Sequence, residues 1–119
     1  MARPLGWSRP LRYDILHHMT RKAILLYREK YHFDDGSIRE MVLWKLPEVS
    51  DERPDGLEYR LYYGTADGVC LVRYDNEAGK GDHRHYGEDH EEPYRFSTPE
   101  QLIEDFLADV DRYRRRGNE

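Results

Sequence analysis

The sequence has a single cysteine and no long apolar run, and both shortages narrow the class of protein. Cys70 has no second cysteine in the 119-residue chain with which to form a disulfide. No apolar stretch approaches the ~20 residues that a membrane helix needs, and no signal-peptide pattern opens the chain. The expectation is therefore a protein of the cytoplasm with no membrane attachment.

Basic residues are also fewer than acidic residues. The chain has 19 basic and 24 acidic residues, a formal net charge of −5, which argues against a broad electrostatic grip on nucleic acid. Any contact with RNA must therefore be local. Lys80 lies between two glycines, but the full phosphate-loop pattern is missing and no strand-loop-helix follows, which excludes an ATPase of that type.

Alternating apolar, aromatic and charged residues predict an antiparallel sheet. Asp35-Gly36 and Asp67-Gly68 are strong hairpin signals. In the second predicted strand Ile38, Val42, Trp44 and Leu46 share one face, which is the more apolar of the two. The predicted strands cover residues 22–33, 38–46, 57–65 and 69–75, and residues 93–96 are a candidate fifth strand at the edge.

The end of the chain carries the clearest helix signal. Thr98 is the predicted N-cap, Pro99 follows at the first helical position, and Gln101 completes a capping-box pattern. An apolar stripe recurs at helical spacing through Leu102, Ile103, Phe106, Leu107, Val110 and Tyr113. The late arginines fit a solvated helix end, with a nucleic-acid contact as the alternative: Arg112, Arg114, Arg115 and Arg116.

These elements predict an α+β domain: an antiparallel β-meander of four or five strands with a C-terminal α-helix packed on one face. The domain is expected over residues 22–116. Residues 1–21 are interrupted by Pro4, Gly6 and Pro10 and are treated as an N-terminal arm. Because one helix covers one face, the other face is left to this arm, to a second copy of the chain or to a partner protein.

The chemistry concentrates in the connection over residues 74–87. Gly79 and Gly81 bracket Lys80, which suits a backbone that turns through positive φ or lies close against a ligand. His83 and His85 are two residues apart, so an extended segment places both rings on one face. Arg84 then points to the opposite face.

These residue types favour cleavage of RNA without a metal. One of His83 and His85 would take the 2′-OH proton and the other would protonate the leaving oxygen, while Lys80, Arg84 or Arg95 would stabilise the phosphorane charge. Residues flanking these groups are the expected binding set: Tyr74, Asp75, Asn76, Gly79, Gly81, Asp82 and Tyr94.

Three other interpretations remain open. The two histidines offer metal ligands together with Asp82 or with His90. They also fit a purely structural role, in which they hydrogen-bond the loop and a neighbouring strand. Finally, the ten tyrosines and two tryptophans suit an interaction module that acts by binding a partner without catalysis. No cofactor is expected from the sequence.

Several phrases together resemble the TumE-type toxin family of type II toxin-antitoxin modules. They are Asp35-Gly36-Ser37, Val42-Leu43-Trp44-Lys45-Leu46-Pro47, Tyr74-Asp75-Asn76-Glu77, Gly79-Lys80-Gly81-Asp82-His83-Arg84-His85 and Glu92-Pro93-Tyr94-Arg95-Phe96. The resemblance covers Lys22 to Tyr113 and leaves the arm outside. It implies a small toxin neutralised by an antitoxin with a helix-turn-helix domain, but it supplies no established mechanism. The basic loop, through Lys80 and Arg84, is the expected contact for acidic antitoxin side chains.

Overall fold

The computed structural model describes residues 22–77 and 79–117, which form one antiparallel sheet and one helix. The six strands follow one another across the sheet in chain order, so the topology is a simple meander. The predicted arm lies outside the described residues. The elements are β1 (Ile24–His32), β2 (Ile38–Lys45), β3 (Leu57–Gly64), β4 (Cys70–Asp75), β5 (His83–Tyr86), β6 (His90–Pro93) and α1 (Pro99–Gly117).

The predicted α+β meander is confirmed, with six strands in place of four or five. The two added strands, β5 and β6, lie in a polar stretch that has no apolar alternation. They form a hairpin after β4, with Gly87 at a φ of 70° in the turn between them. The edge strand expected over residues 93–96 is wrong, because the pairing with β5 runs from His90 to Pro93 and ends there.

The turn between β1 and β2 has the predicted hairpin chemistry. Gly36 adopts a φ of 86°, and the Asp35 carboxylate accepts hydrogen bonds from the backbone N–H and the hydroxyl of Ser37, at 2.9 and 2.6 Å. These two bonds hold the pKa of Asp35 below its ordinary value, with the bond from the Ser37 hydroxyl as the main cause. The register of β1 against β2 follows from this turn.

The N-terminus of α1 is capped as predicted, but only in one direction. The Thr98 hydroxyl accepts a hydrogen bond of 3.0 Å from the Gln101 N–H. The Gln101 side chain donates instead to Asp105 one turn later, at 2.8 Å, so the reciprocal half of the capping box is wrong. Within residues 22–77 and 79–117, no helix is both long and apolar enough to cross a membrane.

The helix packs on the face of the sheet opposite to the one that the β2 pattern favoured. Met41 and Leu43 of β2 face α1, whereas Val42 and Trp44 lie on the other side. The reason lies in the neighbouring strands, which turn aromatic and aliphatic residues toward α1 and arginines away from it. The shared core consists of Met41, Leu43, Tyr59, Leu61, Tyr63, Val72, Tyr74, Tyr94, Leu102, Phe106 and Val110.

We expect the contact between α1 and the sheet to dominate stability. Leu102 is fully buried in this contact, so Leu102→Ala should lower the free energy of unfolding by about 2 to 5 kcal/mol. The matched control is Leu26→Ala on β1, where the leucine is 50% exposed and the change should stay within about 0.5 kcal/mol. Urea unfolding followed by circular dichroism measures both. Equal losses for the two variants would contradict the packing described.

Candidate functional site

The loop between β4 and β5 has the backbone that its glycines predict. Gly79 and Gly81 adopt φ angles of 86° and 75°, and a Cβ atom at either position would meet open space. Glycine is therefore required by the backbone conformation and not by a close neighbour. Lys80 lies between them and is exposed, so the loop carries its ammonium group outward.

Two predicted binding residues, Asn76 and Asp82, anchor this loop to β3. The Asn76 amide donates to the Leu57 carbonyl at 2.9 Å and accepts from the Tyr59 N–H at 3.0 Å. Tyr59 also donates its hydroxyl to the Asp82 carboxylate at 2.6 Å. Burial, and then this bond, raise the pKa of the Tyr59 hydroxyl. The anchors fix where β5 begins.

The pairing of β4 with β5 assembles a group of polar side chains on the face away from α1. Asp75 lies opposite His83, and Arg73 lies opposite His85. The two imidazole rings are 4.9 Å apart between centroids, so the predicted shared face is confirmed. Opposite His85 on β6 lies Glu91. We call Arg73, Asp75, His83, His85 and Glu91 the histidine cluster.

His83 and Asp75 form the buried part of the cluster, with exposures of 3% and 2%. The Nδ1 atom of His83 lies 2.9 Å from the Gly81 carbonyl oxygen, and its Nε2 atom lies 2.8 Å from Asp75 Oδ1. The other carboxylate oxygen, Oδ2, lies 3.0 Å from Arg73 Nε and 3.4 Å from Arg60 Nη1. Two guanidinium groups thus share one oxygen of the carboxylate.

His85 and Lys80 form the more accessible part of the site. Arg73 Nη2 donates to His85 Nε2 at 2.8 Å, and burial, followed by the Arg73 charge, lowers the pKa of His85. Both effects favour the neutral imidazole. Glu91 joins the two residues, because its carboxylate lies 3.9 Å from His85 Nδ1 and 3.5 Å from the Lys80 ammonium.

Arg84 does not join these groups, because it points toward α1. Its Nε atom lies 2.6 Å from Glu92 Oε2. Its guanidinium group lies 5.4 to 5.8 Å from the ring centroids of Tyr74, Tyr86 and Tyr94. Arg84 and the two histidines therefore cannot act on one substrate atom from the same face. Arg95 is exposed beyond the end of β6, outside the cluster.

Tyr74 and Tyr94, two predicted binding residues, belong to the core. The Tyr74 hydroxyl donates to the buried Asp109 carboxylate of α1, and the Tyr94 hydroxyl donates to Asp105 at 2.7 Å. Burial raises the pKa of both phenols. Their hydroxyl groups thus tie α1 to the sheet.

The structure brings together neither of the two metal-ligand sets that the sequence suggested. Asp82 is bonded to Tyr59, and His90 stacks on Tyr86 and contacts Glu92 on the face of α1. Asp75 takes their place, because one ligand atom from each of Asp75, His83 and His85 lies within 4.8 Å of the others. Two imidazoles and a carboxylate suit a transition-metal ion.

Sequence reasoning missed Arg73, Arg60 and Glu91. One signal was present: Arg73 and Asp75 are two residues apart on β4, as His83 and His85 are on β5, so each pair shares a face. What joins the two pairs is the register across the loop, and residue spacing does not give that register. Arg60 and Glu91 enter through pairing with β4 and β5.

The arginines at the end of α1 have partners within the fold. Arg114 lies over the Phe33 ring at 3.7 Å and contacts Asp35 in the first turn at 3.3 Å. Arg112 and Arg115 pair with aspartates of α1 itself. These contacts favour the interpretation of a solvated helix end over that of a nucleic-acid contact.

Comparison with models of protein families gives a match. The model of a protein family described as Toxin TumE matches residues 12–114, which is most of the chain. The matched range begins inside the segment 1–21, which the resemblance in the sequence left outside. Comparisons with curated proteins and with solved structures gave no match.

Asn76 tests whether a residue of the loop acts in the fold or in binding. Asn76→Ala leaves the buried N–H of Tyr59 without its side-chain partner, so we expect a loss of about 1 to 3 kcal/mol in the free energy of unfolding. The control is Glu77→Ala, at the neighbouring exposed position, where stability should be unchanged. Thermal and urea unfolding measure both. Wild-type stability in Asn76→Ala would show that the anchor is not needed.

Proposed function

Because the chain belongs to the TumE toxin family, we propose that it is the toxin of a type II toxin-antitoxin pair and acts on RNA in the cytoplasm through the histidine cluster. The observation that carries the proposal is the arrangement of the cluster. Asp75 and His83 form the buried part of the cluster. His85, Arg73 and Lys80 lie on its accessible side. Such a rigid, charged site on a sheet face suits the positioning of a reacting group.

RNA carries its own nucleophile, which limits what the protein must supply. The 2′-oxygen loses its proton and bonds to phosphorus, the bond from phosphorus to the 5′-oxygen breaks, and the 5′-oxygen gains a proton from water. The site needs a proton acceptor near the 2′-hydroxyl and positive charge near the phosphate oxygens. Arg73 and Lys80 supply the charge. The acceptor is His85 Nε2, once the contact with Arg73 opens, or a water molecule held beside it.

His83 serves a different role in this proposal from the one that the sequence suggested. Its side chain is 4% exposed, and both ring nitrogens lie within 3 Å of oxygens of this chain. A substrate atom therefore has no route to either nitrogen. We assign His83 to positioning, where it links Asp75 to the backbone of the glycine loop.

A second candidate function, a non-catalytic partner-binding module, is favoured by β1. This strand is at the edge of the described sheet, and its side chains are unusually exposed for their type. The partner we propose is the cognate helix-turn-helix antitoxin, with a second copy of the chain as the competing occupant. The exposed residues are Ile24, Leu25, Leu26, Tyr27 and Tyr31, at 40 to 58%.

The proposed contact between an acidic antitoxin segment and the loop now rests on Lys80. Arg84, its expected companion, is turned toward α1 and already paired with Glu92. Lys80 remains about half exposed, with Glu91 as a 3.5 Å neighbour. An antitoxin carboxylate at Lys80 would also cover His85 and so block access to the cluster.

The first test of this function compares histidines. His85→Ala should slow RNA degradation by the purified chain about 10²- to 10⁴-fold and should relieve growth arrest when the chain is expressed without its antitoxin. His32→Ala, on exposed β1, is the matched control and should retain both effects. Wild-type activity in a folded His85→Ala variant would contradict a reaction at the cluster. Growth arrest that persists in that variant would favour an effect exerted without catalysis, by binding a partner other than the antitoxin.

The second test addresses neutralisation. Lys80→Glu should weaken binding of the cognate antitoxin about tenfold, because it places like charge opposite the acidic segment. Arg116→Glu, an exposed position near the end of α1, is the control and should leave affinity unchanged. Calorimetric titration at low and high salt measures both. Equal affinities for the two variants would show that the antitoxin docks elsewhere.

A further inference from the structure

The contact between His83 and Asp75 is close but lacks the geometry of a hydrogen bond. Nε2 and Oδ1 are 2.8 Å apart, yet within the described residues His83 Nε2 is buried without a hydrogen-bond partner. The carboxylate oxygen therefore lies to one side of the direction in which an N–H on Nε2 would point. A buried polar atom left in this state is costly unless something else satisfies it.

The other nitrogen of the ring decides what Nε2 can be. A carbonyl oxygen only accepts hydrogen bonds, so the 2.9 Å contact with Gly81 places a proton on His83 Nδ1. In the neutral ring Nε2 then carries a lone pair. That lone pair and a carboxylate oxygen are both electron-rich, and they require a positive group that both can reach.

A metal ion held between His83 Nε2 and Asp75 Oδ1 would meet this requirement. Ligand atoms at about 2.0 to 2.1 Å from one ion lie about 3 Å from each other, and each points at the ion and not at its neighbour. Two ligands of a common ion thus approach closely without a hydrogen bond between them, as His83 and Asp75 do.

The surroundings of both residues match those of metal ligands. A ligating histidine usually donates its second N–H to a carbonyl or carboxylate, and a ligating carboxylate is itself hydrogen-bonded. His83 donates to Gly81. Asp75 accepts from Arg60 at Oδ2 and from the Glu77 N–H at Oδ1, and Oδ1 also faces His83. Hydrogen bonds to other atoms of the protein therefore fix the orientation of each side chain.

We propose that Asp75, His83 and His85 bind one divalent transition-metal ion, with Glu91 as the fourth ligand. The three ligand atoms lie within 4.8 Å of one another, and the Glu91 carboxylate lies 3.9 Å from both His83 Nε2 and His85 Nδ1. Imidazole and carboxylate ligands suit Zn²⁺ and its first-row neighbours better than Mg²⁺ or Ca²⁺.

Arg73 sets a limit on the affinity of this site. It donates to His85 Nε2 at 2.8 Å, so ligation through that nitrogen displaces the Nη2 contact, while Arg73 Nε stays at Asp75 Oδ2. Two guanidinium charges beside the carboxylate also oppose a cation. We expect binding weaker than that of a closed structural zinc site.

The inference uses the residues of the proposed RNA site but does not depend on RNA cleavage. When bound, such an ion supplies positive charge for a phosphate oxygen and lowers the pKa of its water ligand. It would also explain why a histidine with no access to substrate lies at the centre of the cluster. Metal binding can be measured with the chain alone.

The test is calorimetric titration of ZnCl₂ into the full chain after dialysis against a chelator. The wild-type chain should bind about one ion per molecule and melt at a higher temperature with zinc. His85→Ala and Asp75→Asn should each weaken binding at least about tenfold, since even residues behind the ligands typically contribute that much. If Asp75→Asn fails to fold, His85→Ala carries the test.

Two control variants exclude zinc binding by His17, His18 and His32. His32→Ala and the double variant His17→Ala/His18→Ala should bind zinc as the wild-type chain does; the last two histidines lie outside the described residues. Wild-type affinity in a folded His85→Ala variant would overturn the proposal. Loss of binding in either control would overturn it as well.

A parallel RNA assay separates this inference from the proposed function. Zinc binding that depends on His85, without RNA degradation by either the zinc-loaded or the stripped chain, would uphold the metal site and contradict the function. RNA degradation by a chain that shows no zinc binding would uphold the function and contradict the metal site.

Discussion

The register between β4 and β5 determines which side chains meet on the face away from α1. A shift of one residue would turn His83 and His85 toward α1 and place Arg84 beside Asp75. The loop between the strands prevents that shift. Its two glycines in the left-handed region set the path of the chain, and its anchors on β3 fix both ends. The chemistry of the site therefore depends on hydrogen bonds made by residues that take no part in it.

Two successive strands serve the core and the site at once. On β4, Tyr74 faces α1 while Arg73 and Asp75 face away, and on β5 Arg84 faces α1 while the histidines face away. Tyr74 reaches the buried Asp109 carboxylate, so the core side of these strands is also polar. Substitutions along this stretch should therefore alternate in effect, with the core disturbed at one position and the histidine cluster at the next.

The sequence predicted the features that depend on neighbouring residues. The hairpin turn at Gly36, the Thr98 cap, the left-handed glycines of the loop and the shared face of His83 and His85 all follow from spacing of a few residues. Features that depend on the pairing of strands far apart in the sequence could not be predicted. Asp75 meets His83 across a seven-residue loop, and charged β6 shows no alternation. The apolar pattern of β2 is ambiguous, because both of its faces carry large side chains, and only β3 and β4 decide which face meets α1.

The meander separates the exposed edge strand from the histidine cluster by a fixed distance. Four strand spacings of about 4.8 Å lie between β1 and β5, or roughly 19 Å. A protein that only extended the sheet at β1 would leave His85 and Lys80 uncovered. An inhibitor anchored there would need a further segment of at least six extended residues, at about 3.3 Å each, laid across the strands to reach the cluster. One part of the partner would then bind β1, and a different part of it would cover the histidine cluster.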